Sequence, residues 1–254
     1  MKPNDSIRKC NALRDRYYPR EEWPGLRYEA AVAASADDGA VLLEIGCGRE
    51  GRRLARMALG FGLGIGIDME IAGQLDELGR SRLIKGDAHR IALRDASVDV
   101  IAMANVAEHL ADPAEVFREC SRILKPSGRL IIMTVNRLFP PIAIARALPH
   151  VLRQTLNRFA SGTVEHDTFP AYYRANSAGV LAELALDAGL EVDEIKYITH
   201  HPHYLMFSTV AYRLGVLLER TIRPIEGLRH LILAVFTRPR LAAPVGPSRP
   251  EYAR

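Results

Sequence analysis

Gly46, Gly48 and Gly51 stand in G-x-G-x-x-G spacing directly after the apolar run 41–45, a pattern that lets backbone N–H groups approach a nucleotide-like ligand. Glu44 lies two positions before the first glycine. A carboxylate there would repel a pyrophosphate, so the turn suits a cationic, amino-acid-bearing cofactor better than a dinucleotide. Cys47, inside the turn, has no neighbouring cation or paired base in the sequence and reads as a small packing residue rather than a nucleophile. For proton transfer near neutral pH, histidine is the natural candidate. His109, in Glu108-His109-Leu110, suits either a general base or a hydrogen bond that fixes its loop. His166 and Tyr173 lie in a segment that mixes acid, base and aromatic surface, which suits an acceptor or, alternatively, the anchoring of the following helix. His200, His201 and His203 superficially resemble metal spacing. Adjacent residues of an extended chain point to opposite faces, however, and no cysteine or carboxylate lies close in sequence, so no metal site is expected.

Strand and helix signals must alternate to carry these residues, and they do so from residue 41 to about 136. Apolar runs at 41–45, 62–68, 82–88, 97–106 and 129–136 read as strands, the fourth with the apolar density of a strand buried on both faces. The helix after Gly51 puts Leu54, Met57 and Ala58 on one face, and a short helix is expected over 72–80. Asp112, Pro113 and Glu115 form a capping box ahead of Val116, Phe117 and Cys120. Beyond residue 136 the rhythm breaks. Residues 138–175 read as a lid or substrate insertion with a helical piece over 142–159, and Asn176 or Ser177 caps the next helix. A strand follows over 191–200, then a second helical insertion within 202–226, and the segment 228–239 reads as a last strand. The expected organisation is one domain over 1–240 with a flexible tail at 241–254.

Five motifs occur in order: Glu44-Ile-Gly-Cys-Gly-x-x-Gly51, Asp68, Gly86-Asp87-Ala88, Asn105-Val-Ala-Glu-His109 and Leu124-Lys-Pro-Ser-Gly128. As a series over 41–136 they closely resemble the class I S-adenosylmethionine-dependent methyltransferases. Residues 165–190 are also similar to the carboxyl-terminal half of bacterial methyltransferases of the polysaccharide and small-molecule type. The resemblance implies a doubly wound, seven-stranded, mostly parallel α/β sheet of order 3-2-1-4-5-7-6, with strand seven antiparallel and helical insertions. It also implies S-adenosylmethionine as cofactor. In that family pattern, Asp68 with Met69 beside it holds the ribose, Asp87 and the Ala88 N–H meet the adenine, and Met103 and Ala104 line the end of strand four. Gly46, Cys47, Gly48 and Gly51 would hold the aminoacyl part, with Glu44 as an indirect partner of its ammonium.

The implied activity is methyl transfer to a small molecule or sugar-containing intermediate, at oxygen; the alternative is a scaffold that binds the cofactor without transferring from it. A nicotinamide-dependent oxidoreductase is disfavoured by Glu44 and the Gly86-Asp87-Ala88 segment. The three cysteines lack C-x-x-C spacing and no secretion-type apolar run is seen at the amino terminus, which points to the cytoplasm. Net charge is +4 and no apolar run approaches the length of a membrane span. Residues 204–236 interleave Leu205, Phe207, Val210, Leu214, Leu217 and Leu218 with arginines. That pattern suits either peripheral contact with anionic membrane or a helical cap packed on the core or on a homodimer partner. Nucleic acid is disfavoured, since no compact basic stripe interleaved with aromatics is present.

Overall fold

The computed structural model describes residues 3–72, 79–147 and 169–240. Seven strands form one sheet: β1 (Asp37–Ile45), β2 (Phe61–Asp68), β3 (Ser81–Lys85), β4 (Val98–Ala104), β5 (Leu124–Val135), β6 (Glu191–Ile198) and β7 (Leu231–Thr237). Their order is β3-β2-β1-β4-β5-β7-β6. The first five pair in parallel, and β7 runs antiparallel to both β5 and β6. This is the order expected from the family resemblance.

Alternation along β1 divides the core. Leu43 and Ile45 face a cluster that contains Ile101, Met103, Leu130, Ile132, Phe117 and Leu181. Leu42 faces the other cluster, with Tyr28, Val32, Leu54, Val100 and Ala102. The helices that cover these two faces are α2 (Pro24–Ala33) and α3 (Arg52–Met57) on the Leu42 side, and α4 (Pro113–Ile123) and α6 (Ala178–Asp187) on the Leu43 side. The described residues also form a first helix, α1 (Pro3–Tyr17), a short α5 (Pro140–Ala147) and α7 (Thr209–Ile222). Neither α1 nor α2 stands out in the sequence pattern, because α1 buries little beyond Ser6 and Cys10.

The start of α4 follows the expected capping box, with Asp112 Oδ1 accepting a 3.1 Å hydrogen bond from the Glu115 amide. The start of α6 departs from expectation. Ser177 occupies the N-cap position without a side-chain bond, and Asn176 turns inward to donate to Thr134 Oγ1 at 2.7 Å and to the Val135 carbonyl at 3.1 Å. The expected helix over 72–80, most of the lid piece over 142–159 and the tail at 241–254 lie outside the described residues. Among the described residues no helix is long and apolar enough to cross a membrane.

Candidate active site

β1 pairs with β2 on one side and β4 on the other, so the chain reverses its direction of travel across the sheet between β1 and β4. In open α/β sheets such a switch point leaves a crevice at the carboxyl ends of the strands. A cavity of about 380 Å³ lies there, lined after β1 by Gly46, after β2 by Asp68 and Met69, after β3 by Gly86–His89, and after β4 by Asn105, Val106 and His109. Phe169, Pro170 and Tyr172 line a further side. Two wider depressions, of about 570 and 560 Å³, lie beside α4 and at the opposite edge of the sheet. The second gathers residues from the amino ends of β1, β4 and β5, and neither collects residues from the carboxyl ends of successive strands.

The glycine turn is shaped by close contacts. Gly46 has φ +72°, and a Cβ there would come within 2.2 Å of Val106 Cγ2. Gly51, at φ +61°, would meet Leu83 Cδ2 at 2.7 Å, so its role is to let α3 sit against β3 rather than to line the cavity. The Gly48 amide donates to Asp68 Oδ2 at 2.8 Å, and the Glu70 amide donates to Asp68 Oδ1 at 2.9 Å. Each oxygen of Asp68 keeps a further lone pair for a ligand hydroxyl. Asp87 Oδ1 accepts from the His89 amide at 3.0 Å and meets His89 Nδ1 at 2.6 Å. Burial would raise the Asp87 carboxyl, but those His89 hydrogen bonds and nearby positive charge hold it below the usual carboxylate range.

Several expected site residues are placed elsewhere. Glu44 is fully buried on the α3 side of the sheet, where Oε1 meets Arg53 Nε at 2.5 Å and Oε2 has no hydrogen-bond partner. Burial raises its pKa against the opposing pull of Arg53. It supports the turn from behind and does not line the cavity. Cys47 is also buried, within the Leu42-side cluster, and burial pushes its thiol up to about 12, which suits packing and not nucleophilic chemistry. Met103 and Ala104 point into the two faces of the core; Asn105 and Val106, just past the strand, reach the cavity instead. Asn105 takes a left-handed φ of 58° and its amide donates to the Met133 carbonyl at 2.9 Å. Tyr173, at φ 54°, is likewise not among the lining residues, whereas Tyr172 is. His166 lies outside the described residues.

His109 does reach the cavity. Its Nδ1 lies 3.2 Å from the Pro170 carbonyl, and its ring packs edge-on against Phe169. A carbonyl only accepts, so Nδ1 carries the proton and Nε2 keeps a free lone pair in the neutral ring. The loop that holds it is tied down from below. Buried Glu108 accepts from Thr134 Oγ1 at 2.8 Å, and the Glu108 carbonyl accepts from the amides of Tyr172 and Tyr173 at 2.7 and 3.1 Å. Glu108, Phe169 and Tyr172 were visible in sequence as neighbours of the motif histidine and of the aromatic segment. Nothing in the sequence marks their convergence.

His200, His201, His203 and His230 also converge, against the expectation that neighbours would diverge. The His200 ring centroid lies 4.7 Å from those of His201 and His203 and 5.4 Å from that of His230, because the chain turns sharply through Pro202. Among the described residues no group of three or more His, Cys, Asp or Glu side chains is arranged to hold a metal ion.

Residues 43–132 match a family described as a methyltransferase domain. A ubiquinone biosynthesis O-methyltransferase of Pseudomonas syringae pv. tomato is 32% identical over 224 residues, covering 80% of this chain and 91% of that protein. An uncharacterized 37.1 kDa protein in a transposon of Streptomyces fradiae is 30% identical over 182 residues, and the chain spans 48% of its length. Among solved structures, geranyl diphosphate C-methyltransferase of Streptomyces coelicolor, in complex with S-adenosyl-L-homocysteine, has the same fold. Its TM-score is 0.58 at 17% identity, with 84% of this chain and 77% of that chain covered. The chain belongs to the class I S-adenosylmethionine-dependent methyltransferases. Its cofactor is S-adenosylmethionine, and the cavity suits it. Ile45, Ile67 and Val106 give the cavity apolar walls, and Asp68 and Asp87 place two carboxylates on its lining, a mix that fits a nucleoside.

Proposed function

We propose that this enzyme methylates an oxygen of a small-molecule or sugar-containing acceptor that enters beside His109, Phe169 and Tyr172. The observation that carries this reading is the His109 Nδ1 contact with the Pro170 carbonyl, which leaves Nε2 available at the cavity wall. The cofactor supplies an electrophilic sulfonium methyl group. Asp68 accepts from the ribose hydroxyls, Asp87 and the Ala88 amide meet the adenine, and Gly46 brings bare backbone to the aminoacyl arm. With the cofactor bound, His109 Nε2 would take the proton of the acceptor hydroxyl as the methyl carbon exchanged its bond to sulfur for one to that oxygen, leaving the electron pair on sulfur, and the aromatic wall of Phe169 and Tyr172 would exclude water. The O-methyltransferase identity of the Pseudomonas syringae relative supports oxygen as the methylated atom.

The three cysteines are free and buried, which agrees with a reducing, cytoplasmic setting. The described elements pack around one sheet, which supports a single domain. Beyond the acceptor, the partner surface is the outward apolar face of α7, which a second copy of the chain or an anionic bilayer would cover.

The test is calorimetry with S-adenosylmethionine, followed by labelled methyl transfer into phenols, sugars and a cell extract. Cofactor binding with an O-methylated product is expected. Binding without any labelled product, or a product methylated only at nitrogen or carbon, overturns the reading.

A further inference from the structure

The helix α7 buries Tyr212 and Val216 against Cys10 of α1 and Tyr18, Gly215 against Pro202 and Leu205, and Glu219 beside Tyr18, and leaves the opposite side bare. At 3.6 residues per turn, Val210, Leu214, Leu217, Leu218 and Thr221 share an arc of about 100°. They are exposed: Val210 by 69%, Leu214 by 62%, Leu217 by 61% and Leu218 by 43%, with Phe207 at 51% just ahead of the helix. Such an apolar stripe, about 12 Å long from Val210 to Leu218, is unusual on a face that meets only water.

Charge identifies what covers it. Arg213 and Arg220 run along one border of the stripe, both exposed. The guanidinium of Arg220 lies over the Tyr17 ring at 5.1 Å, and that of Arg16 over the same ring at 5.6 Å, so the basic border continues onto α1. Arg16, Arg213 and Arg220 make no ion pair with described residues. The one acidic residue of α7, Glu219, is buried and accepts from Tyr18 Oη at 2.9 Å. The outer face of α7 therefore carries apolar and positive groups and no negative ones. A second copy would bring the same apolar and positive groups to the contact and no negative ones, whereas a bilayer with anionic headgroups complements both features.

We propose that α7 lies in the interface of an anionic membrane, with Val210, Leu214 and Leu217 entering the acyl boundary and Arg213, Arg220 and Arg16 meeting lipid phosphates. The helix connects the carboxyl end of β6 to the start of β7. Ile198 pairs with Leu231, and Leu231 pairs with Val135 at the end of β5, so both ends of α7 are rooted at the edge that carries the cavity. Docking through α7 brings that edge to the bilayer, and the acceptor class becomes a hydroxyl compound carried on an apolar, membrane-embedded tail. This last step rests on the methyl-transfer reading above; the membrane contact does not.

The test is sedimentation of the full chain with phosphatidylcholine vesicles and with vesicles that also contain phosphatidylglycerol. The expected result is binding to the anionic vesicles only, weakened by salt. Replacing Arg213 and Arg220 together by glutamine should lower the partition coefficient roughly thirtyfold, from about 1 kcal/mol per basic residue. Leu214→Ser with Leu217→Ser should abolish it. Both variants should keep cofactor affinity by calorimetry, which separates loss of docking from loss of folding or of the methyltransferase site. No vesicle binding, equal binding to uncharged vesicles, or a dimer in light scattering that the leucine variants dissolve would each overturn the proposal.

Discussion

The Gly48 amide hydrogen-bonds Asp68 Oδ2 at 2.8 Å and so ties the turn after β1 to the end of β2. Asp68 also accepts from the Glu70 amide, which makes one carboxylate the fastener of the loops after β1 and β2. Asp68→Ala removes the proposed ribose acceptor and releases the Gly48 amide together. Cofactor affinity should fall by about 1–3 kcal/mol, or roughly five- to 150-fold, in calorimetry. Unchanged affinity would show that the carboxylate serves the loops alone.

The His109 contact with Pro170 predicts a separation of binding from turnover. His109→Ala should lower kcat by about 10²–10⁴-fold while cofactor affinity changes little. His109→Gln restores a group able to hold the loop but not a base, and should stay slow. If the glutamine variant recovers full rate, His109 acts only by fixing its loop.

Much of the strand-end lining of the cavity was legible because it sits where an apolar run stops at a polar or small residue. Asp68 closes β2, and Asp87 and Ala88 follow β3. The errors have a geometric cause. Met103 and Ala104 are still inside β4, where period-two alternation sends side chains into the core faces, and only Asn105 and Val106 beyond the last pair reach the edge. An apolar run does not mark its own last paired residue. Glu44 was read correctly as acidic and close to the turn, but alternation placed it under α3 beside Arg53. Tyr173 yields to Tyr172 because its positive φ turns the chain at that point. The histidine cluster was illegible for another reason: His230 arrives from the start of β7, a contact between segments far apart in sequence.

That cluster predicts a stability that declines in acid. His200 and His230 bury Nδ1 atoms without partners, and His230 stacks on Phe139 at 4.5 Å. Burial, reinforced by repulsion from neighbouring histidines, pushes His230 down to about 3 and His200 down to about 2. His201 is pushed down to about 4 by burial, His203 and Arg14, with Asp15 opposing. Folded pKa values lie below the unfolded value of about 6.5, so the unfolded chain binds more protons between them. The contribution is complete above about pH 6.5 and is lost as the pH falls toward the folded values. Buried His230 alone should cost about 2 kcal/mol by pH 5. Urea unfolding between about pH 7 and pH 5 should show a slope that His230→Leu reduces. An unchanged slope in the variant would place the acid sensitivity elsewhere.

The Glu44–Arg53 pair makes the sharpest stability prediction, because its two members differ in what they leave behind. Glu44 is wholly buried and one of its oxygens has no partner, while Arg53 is one-quarter exposed and its guanidinium also lies 5.2 Å from the Tyr28 ring centre. Arg53→Met therefore strands a carboxylate in the core and should destabilise the fold by about 3–5 kcal/mol in urea unfolding at neutral pH. Glu44→Gln leaves a cation that can turn to solvent and should cost much less. Adding Glu44→Gln to Arg53→Met should return most of the loss, since the stranded charge is gone. The single Arg53 variant should also regain stability on acidification, because Glu44, its pKa already raised by burial, would protonate in the folded state before the unfolded one. Equal losses for the two single variants, with no recovery in the double, would mean that packing of the Arg53 stem under Tyr28 outweighs the charge, and the turn after β1 would then rest on shape rather than on its ion pair.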